Sequence, residues 1–295
     1  MLLPQFECHL PSSLEEACLL LKKHRDKAKV LAGGTDLLVN MKRKILSPPH
    51  LVALDRTSGL ADIALCGEVL EIGALATASA LASSPTVLQT VPVLALGAGK
   101  IGSPLIRNRA TVGGNLVSAR PAGDTAPPLM ALGAVVVLQS AAGVRETSLD
   151  EFFLGPGQTI MTPEEILIGI RIPVPGPGTG GGYEKLGLRA ALEIAIVNVA
   201  AVIKLNSTGK KIDSARVVLG AVAPRPIRSP RAEEALIGKP AGPKALEKAA
   251  AAAVEDARPI SDHRGSAEYR RLMVEVLTRR ALVSALENAR QSLGG

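Results

Sequence analysis

The sequence has 295 residues, which is enough for two or three domains, and 47% of them are hydrophobic while only 2% are aromatic. The cores are therefore predicted to be aliphatic. So few aromatic side chains leave little surface for stacking on single-stranded nucleic acid, and the net charge of +7 comes without a long block of Lys and Arg. Nucleic-acid binding is not expected.

Cysteine usage and hydropathy indicate the cellular setting. Cys8, Cys18 and Cys66 are far apart and no C-x-x-C motif occurs, so neither a zinc site nor an iron–sulfur cluster is expected within the chain. A sparse, odd cysteine count fits a reducing cytosol, and we expect a cytoplasmic protein. The start of the chain lacks a signal-peptide pattern, and the absence of any apolar run of about 18 residues argues against a membrane span.

Residues 1–55 predict a βαβαβ unit. Ser12 or Ser13 can cap the first helix, since Glu15 and Glu16 follow three residues later and complete possible capping boxes. A second helix is expected just after Asp36. The three predicted strands are Phe6–His9, Lys29–Ala32 and Leu51–Leu54.

The stretch from Val30 to Lys42, VLAGGTDLLVNMK, joins a predicted strand to a predicted helix through Gly33 and Gly34. Glycine permits backbone conformations that a side chain forbids. A strand, a glycine turn and a helix start direct backbone N–H groups to one spot, and such a spot suits a phosphate. The same pattern fits an ordinary strand-to-helix corner, and this stretch alone leaves both interpretations open.

A second glycine pair lies in the segment from Ile106 to Leu129. Gly113 and Gly114 are flanked by Thr111 and Asn115, and Asp124 follows about ten residues after the pair. A second glycine pair with threonine and another polar residue close by shifts the balance towards the phosphate-binding interpretation.

The remainder of the chain predicts two further α+β regions, residues 56–175 and 176–295. Val174–Gly182 holds five glycines and two prolines and is predicted to be a linker at a domain boundary. Predicted strands are Val69–Gly73, Val135–Gln139, Arg145–Ser148, Ile166–Ile172, Tyr183–Leu188, Ala195–Lys204 and Arg216–Val222. Predicted helices are Thr77–Ala82, Thr86–Leu96, Arg231–Leu236, Pro243–Ala257 and Gly265–Arg290.

Gly97, Gly99 and Gly102 spell G-x-G-x-x-G, the fingerprint of a Rossmann dinucleotide site. That fingerprint must follow a strand and open a helix. Here the preceding run is predicted to be helical and Pro104 follows closely, so a Rossmann fold is disfavoured.

The chain shows no set of residues typical of nucleophilic or acid–base catalysis. No Ser/His/Asp or Cys/His arrangement is evident, and the carboxylates form no convincing pair. The histidines show no metal-like spacing, and each is predicted to be structural or exposed, with no metal site: His9, His24, His50 and His263.

The segments AGGTD and RATVGGN, followed by YEKLGLR and PISDHRGSAEYRR, resemble a known family over nearly the whole chain and in the right order. The family is the FAD-binding medium subunits of molybdenum hydroxylases, the flavoproteins of carbon monoxide dehydrogenase, xanthine dehydrogenase and their bacterial relatives. The resemblance implies an α+β fold: a two-part FAD-binding domain of the vanillyl-alcohol-oxidase-like type (residues 1–55 and 56–175), then a small α+β C-terminal domain (176–295). It also implies non-covalent FAD.

The same resemblance implies roles for individual residues. Asp124 would hold the adenosine part through the ribose hydroxyls, Leu167 would lie near the flavin or adenine, and Lys185 would place a cation near the isoalloxazine ring. Tyr183 would cover a ring face. The two pyrophosphate loops would be Ala32, Gly33, Gly34, Thr35 and Asp36, and then Thr111, Gly113, Gly114 and Asn115.

The family's organisation implies partners. A large subunit would carry a molybdenum–pterin centre, a small subunit would carry iron–sulfur clusters, and the flavin would pass electrons to an external acceptor. Leu105, where the family usually has glutamine, and Arg120, where relatives often carry Asp or Ser, depart from the pattern and affect details around the ring and at partner contacts. Two alternatives stay open: a free-standing FAD-dependent oxidoreductase and a nucleotide-binding scaffold without redox activity.

Overall fold

The computed structural model describes residues 2–189 and 191–294. Its strands form three main sheets, which follow one another along the chain and each carry their own helices, with a short hairpin beside the second sheet. The fold is thus α+β. None of the described helices is both long enough and apolar enough to cross a membrane.

The first sheet is parallel, as expected of a βαβαβ unit. Ser13 caps the first helix by accepting from the N–H of Glu16, whose carboxylate in turn accepts from the N–H of Ser12 at 2.7 Å. The strand order is β1-β3-β2. The elements are β1 (Glu7–His9), α1 (Leu14–His24), β2 (Ala28–Leu31), α2 (Leu37–Lys42) and β3 (His50–Ala53).

The second sheet is antiparallel, in the order β4-β5-β10-β6-β7, and helices cover one of its faces. Pro92 splits the predicted helix Thr86–Leu96 into two, because proline removes a hydrogen-bond donor and clashes with the preceding turn. The strands are β4 (Ile63–Cys66), β5 (Val69–Gly73), β6 (Val135–Ser140), β7 (Gly143–Ser148), β8 (Phe153–Gly155), β9 (Gln158–Thr159) and β10 (Ile166–Pro173). The helices are α3 (Ala78–Ser83), α4 (Pro85–Thr90), α5 (Pro92–Gly99), α6 (Pro104–Arg107), α7 (Val112–Val117), α8 (Ala126–Ala131) and α9 (Leu149–Phe152).

The third sheet is antiparallel in sequential order, and the long last helix packs across it. Tyr183, Ala200 and Val218 from this sheet also join the core of the second region, so the two regions share packed side chains. The elements are β11 (Thr179–Leu186), β12 (Val197–Leu205), β13 (Ile212–Gly220), β14 (Ile227–Arg228), α10 (Pro230–Leu236), α11 (Pro243–Asp256) and α12 (Ala267–Gly294).

The glycine run before Tyr183 is strand rather than linker, which corrects the prediction for Val174–Gly182. Glycine is required there by packing: a Cβ on Gly180 would lie 2.1 Å from the N of Ala289, and one on Gly182 would lie 2.2 Å from the O of Ala281. Both contacts are with the backbone of α12. The run therefore lets a helix lie directly against a strand, and β11 begins four residues earlier than predicted.

The G-x-G-x-x-G sequence does not form a nucleotide loop. Gly97 and Gly99 lie inside α5, and Gly102 follows it with a φ of 45°. A Cβ on Gly97 would come within 2.5 Å of the O of Asp124, so this glycine allows α5 to approach the second glycine-pair segment. The Rossmann interpretation was correctly disfavoured.

Candidate functional site

The first glycine pair forms a turn between β2 and α2, and we call residues Ala32–Leu37 loop 1. Gly34 has a φ of 74°, in the region that favours glycine. Asp36 occupies the N-cap position of α2 without making a side-chain cap. Among the described residues, the backbone N–H groups of five consecutive positions, Gly33 to Leu37, donate no hydrogen bond. Loop 1 is therefore a run of free donors at a helix start.

The second glycine pair opens α7, and we call residues Ala110–Asn115 loop 2. Loop 1 packs directly on it, since a Cβ on Gly33 would lie 1.8 Å from the O of Arg109 and 3.3 Å from the N of Ala110. The hydroxyl of Ser118, which caps the C-terminal end of α7, also donates to the Asp36 carboxylate at 3.1 Å. The structure thus brings the two predicted loops together from positions almost 80 residues apart in sequence.

Loop 2 uses its own glycine N–H groups internally. The N–H of Gly113 donates to the O of Ala74 at 2.9 Å, and that of Gly114 donates to the Thr111 Oγ1 at 3.1 Å. A Cβ on Gly113 would lie 2.7 Å from the Cβ of Ala74. These glycines therefore serve the packing and capping of α7. Among the described residues, Thr111 has the one main-chain N–H of loop 2 that donates no hydrogen bond, and the loop's other available donors are side chains.

Two side chains of loop 2 are arranged to donate. The Thr111 Oγ1 accepts the capping bond, which leaves its hydroxyl proton free. The Asn115 Oδ1 accepts from the Thr125 hydroxyl at 2.6 Å, which fixes the amide and leaves its NH₂ group without a partner in the described part of the chain. Loop 2 thus offers a hydroxyl and an amide where loop 1 offers main-chain N–H groups.

Asp124 lies at the junction of the second and third regions and is only 6% exposed. Its carboxylate accepts from the Tyr183 hydroxyl at 2.8 Å and from the Lys185 Nζ at 2.7 Å, and Asn198 Nδ2 lies 3.5 Å away. Burial raises the pKa of the Asp124 carboxyl, while the Lys185 ammonium and the hydrogen bonds oppose that rise. Lys185 also donates to the O of Lys100 at 3.0 Å.

Asp124 and Lys185 were predicted to contact different parts of FAD, and the structure joins them in one ion pair. Their contacts with the cofactor stay predictions. Tyr183 is only 7% exposed and its ring joins the core of the second region, and its contact with a flavin face stays a prediction. Burial and the neighbouring Asp124 carboxylate raise its pKa well above the ordinary value, and the hydroxyl stays a donor.

Leu167 is also a core residue. It lies in β10 at a bulge and is 5% exposed. The next residue, Ile168, accepts through its O from the N–H of Ala74 at 3.0 Å, and Ala74 supports loop 2. Leu167 therefore lies behind loop 2, and its ligand contact stays a prediction.

Sequence reasoning missed Asn198 and the proximity of three histidines. Asn198 is fully buried in β12 and donates to the O of Gly123 at 3.2 Å; its signal was a polar residue inside an apolar run. The histidines show no metal-like spacing in the sequence and were each predicted to be structural or exposed, but the fold brings three of them together, His9, His24 and His50. Partial burial lowers the pKa of His24, and the nearby His50, Lys23 and His9 lower it further.

The site fits a diphosphate without a metal. Two phosphate groups need several donors and close approach of the main chain. Loop 1 has five free N–H groups and a left-handed glycine, and loop 2 adds Thr111 and Asn115 beside it. The donor set is neutral and made of amides and hydroxyls, which suits the pyrophosphate of FAD.

Comparison with known proteins agrees with this geometry. Residues 4–175 match the FAD binding domain in molybdopterin dehydrogenase, and residues 183–285 match the CO dehydrogenase flavoprotein C-terminal domain. The carbon monoxide dehydrogenase medium chain of Hydrogenophaga pseudoflava is 36% identical, over 97% of this chain and 98% of its own.

Two further similarities cover the full length. The nicotine 6-hydroxylase medium subunit of Paenarthrobacter nicotinovorans is 34% identical, over 97% of this chain and 99% of its own. A structure of carbon monoxide dehydrogenase from Hydrogenophaga pseudoflava that lacks the Mo-pyranopterin moiety superposes with a TM-score of 0.94 at 36% identity, covering 98% of this chain and 99% of that one. The chain therefore belongs to the family of FAD-binding medium subunits of the molybdenum hydroxylases, which are oxidoreductases.

Proposed function

We propose that this chain binds FAD across loops 1 and 2 and acts as the electron-transfer subunit of a molybdenum hydroxylase complex in the cytoplasm. The observation that carries the proposal is the run of free N–H groups from Gly33 to Leu37, packed against the side-chain donors of loop 2. When bound, FAD supplies two-electron chemistry between the complex and an external acceptor. The chain's own residues bind, orient and enclose it.

Loop 1 holds the pyrophosphate through its main chain. Consecutive N–H groups at the start of α2 donate hydrogen bonds to the phosphates. The helix dipole also favours negative charge at this end of the helix. Thr111 and Asn115 add directed hydrogen bonds from loop 2, and Asn115 keeps its orientation because Thr125 holds its oxygen. No histidine or cysteine lies in either loop, so the proposed attachment is non-covalent.

Asp124, Lys185 and Tyr183 act as positioning residues. The carboxylate and the ammonium are each 8% exposed and form an ion pair that joins the second region to β11. Such a pair is costly to break, because removing one partner leaves a buried charge uncompensated. Asp124 is next to Thr125, so the pair also supports Asn115 and fixes loop 2 relative to the third sheet.

The cysteine content of the chain indicates which cofactors the partner subunits carry. An iron–sulfur cluster needs about four cysteine thiolates, and this chain has three cysteines, all free in the structure. A large molybdenum–pterin subunit and a small iron–sulfur subunit would therefore deliver the electrons. The full-length match to proteins named as medium chains and subunits supports this arrangement over a free-standing flavoenzyme.

Purification from the native cell tests the proposal. The chain should co-elute with two other polypeptides that carry iron and pterin-bound metal, and denaturation should release all flavin to the supernatant. A chain that purifies alone and oxidises an organic substrate with an added acceptor would establish the free-standing enzyme instead. Flavin that stays on the denatured chain would contradict the non-covalent attachment.

A further inference from the structure

Three histidines from three different elements of the first region converge. His9 ends β1, His24 ends α1 and His50 begins β3. One ring nitrogen from each lies within 4.8 Å of the other two, and the His9 Nε2 is 3.2 Å from the His50 Nδ1. The ring centroids of His24 and His50 are 3.8 Å apart. We call this group the histidine cluster.

Hydrogen bonding within the chain does not satisfy the cluster. His9 and His50 can share one proton between their facing nitrogens. The His24 Nε2 is buried and has no partner among the described residues. A buried polar atom without a hydrogen-bond partner costs about 1–3 kcal/mol of folding free energy, so native proteins rarely contain such an atom.

The spacing of the nitrogens suits a tetrahedral metal ion. Zinc binds imidazole nitrogen at about 2.0–2.1 Å, which places two such ligands about 3.3 Å apart in a tetrahedron. The 3.2 Å between His9 and His50 matches that separation, and the third nitrogen is within reach of a ring rotation. Imidazole is a preferred ligand of zinc, copper and nickel.

We propose that His9, His24 and His50 bind one divalent transition-metal ion, with zinc as the preferred metal and Glu7 as the fourth ligand. The Glu7 Oε2 is 3.4 Å from the His50 Nδ1 and its Oε1 is 3.8 Å from the His9 Nδ1. Glu7 lies opposite His50 in the strand register and on the same strand face as His9. Its side chain is 66% exposed and is free to complete the coordination.

The site is separate from loop 1 and has a structural role. His50 pairs with Ala28, the first residue of β2, whereas loop 1 follows Leu31 at the other end of that strand, about 10 Å further along. An ion bound here ties the end of α1 to β1 and β3. This tie stabilises the folded first region through metal binding, which shifts unfolding by mass action.

The test uses the full chain after treatment with a chelator, followed by titration with zinc chloride in a calorimeter and with cobalt chloride in an absorption cell. We expect one metal ion per chain, the intense visible bands of tetrahedral cobalt at wavelengths beyond the flavin absorption, and a higher thermal midpoint. His24→Gln and His50→Gln should each weaken zinc binding at least about tenfold. His263→Gln, outside the cluster, should bind zinc like the wild type.

Several outcomes would overturn the proposal. Zinc binding that is equal in the wild type and in both cluster variants would place the ion elsewhere and overturn the proposal. A weak, octahedral cobalt spectrum of the wild-type chain would overturn the proposal by itself, so the test does not depend on the folding of the variants. The absence of zinc binding when the metal is in roughly tenfold excess over the protein would also overturn it.

Discussion

Loops 1 and 2 look alike in sequence, since each has a glycine pair beside threonine and a polar residue, but the structure uses them differently. Loop 1 leaves its N–H groups from Gly33 to Leu37 free. In loop 2 the N–H of Gly113 donates to the O of Ala74, and the N–H of Gly114 donates to the Thr111 Oγ1. A glycine pair therefore allows close packing in both places, but only loop 1 keeps a run of free N–H groups in the described part of the chain.

The difference assigns the loops separate tasks. In the proposed function, loop 1 carries the main-chain donors for the pyrophosphate, while loop 2 supports it and adds the Thr111 hydroxyl and the Asn115 amide. Gly33 connects the tasks, because its missing Cβ lets loop 1 lie against the backbone of Arg109. Substitutions in loop 1 should therefore weaken FAD binding more than substitutions in loop 2.

Gly33→Ala is expected to have the largest effect on FAD binding. The new Cβ would lie 1.8 Å from the O of Arg109, a backbone atom that cannot rotate away, so the loops must separate. Overpacking of this kind costs about 1–3 kcal/mol or more, and the separated donors should no longer bind FAD. Flavin content after purification and the thermal midpoint measure both effects.

Gly176→Ala is the matched control, because a Cβ there meets nothing within 4 Å. It should keep full flavin and an unchanged midpoint. A Gly33→Ala protein that carries stoichiometric FAD would show that direct contact between the loops is dispensable.

Lys185→Met is expected to have the next largest effect on FAD binding, through loop 2. It leaves the buried Asp124 carboxylate without its cation, which typically costs about 3–5 kcal/mol of folding free energy. FAD affinity should fall because Asn115 and Thr125 lose their support. Urea unfolding and FAD titration give the two values.

The double variant Asp124→Asn with Lys185→Met separates charge from packing. It should regain much of the stability that Lys185→Met loses, since no buried charge remains unpaired. If the double variant is as unstable as the sum of the two single changes, the ion pair does not hold this junction.

Thr111→Val should have the smallest effect of the three. It removes the cap of α7, worth about 1 kcal/mol, and one donor to the phosphate, so FAD affinity should fall roughly tenfold. Thr111→Ser keeps the hydroxyl and should stay close to the wild type in both respects. Equal FAD affinity in the valine and serine variants would leave loop 2 with a purely supporting task.

The sequence predicted the elements that have a local signal. Val69–Gly73 is a strand with the predicted bounds, the first region is βαβαβ as expected, and Ser13 is the cap. The resemblance also predicted the family and its FAD correctly. The residue roles at the two loops stay predictions.

Long-range contacts account for what the sequence could not predict. Gly180 and Gly182 were predicted to lie in a linker, because the neighbouring sequence does not indicate that α12, about 100 residues later, packs against them. The contact between Asp124 and Lys185 was not predicted, because it depends on how the second and third regions dock. The histidine cluster escaped notice for the same reason, since parallel strand pairing brings His9 close to His50.

Residue-resolved amide hydrogen exchange, measured by nuclear magnetic resonance on the chain with and without FAD, tests the division between the loops most directly. The account predicts that FAD slows exchange at the free N–H groups from Gly33 to Leu37. It also predicts that Gly113 and Gly114 exchange slowly in both states, because their N–H groups already donate within the protein. Unchanged exchange in loop 1 together with new protection at Gly113 and Gly114 would contradict it.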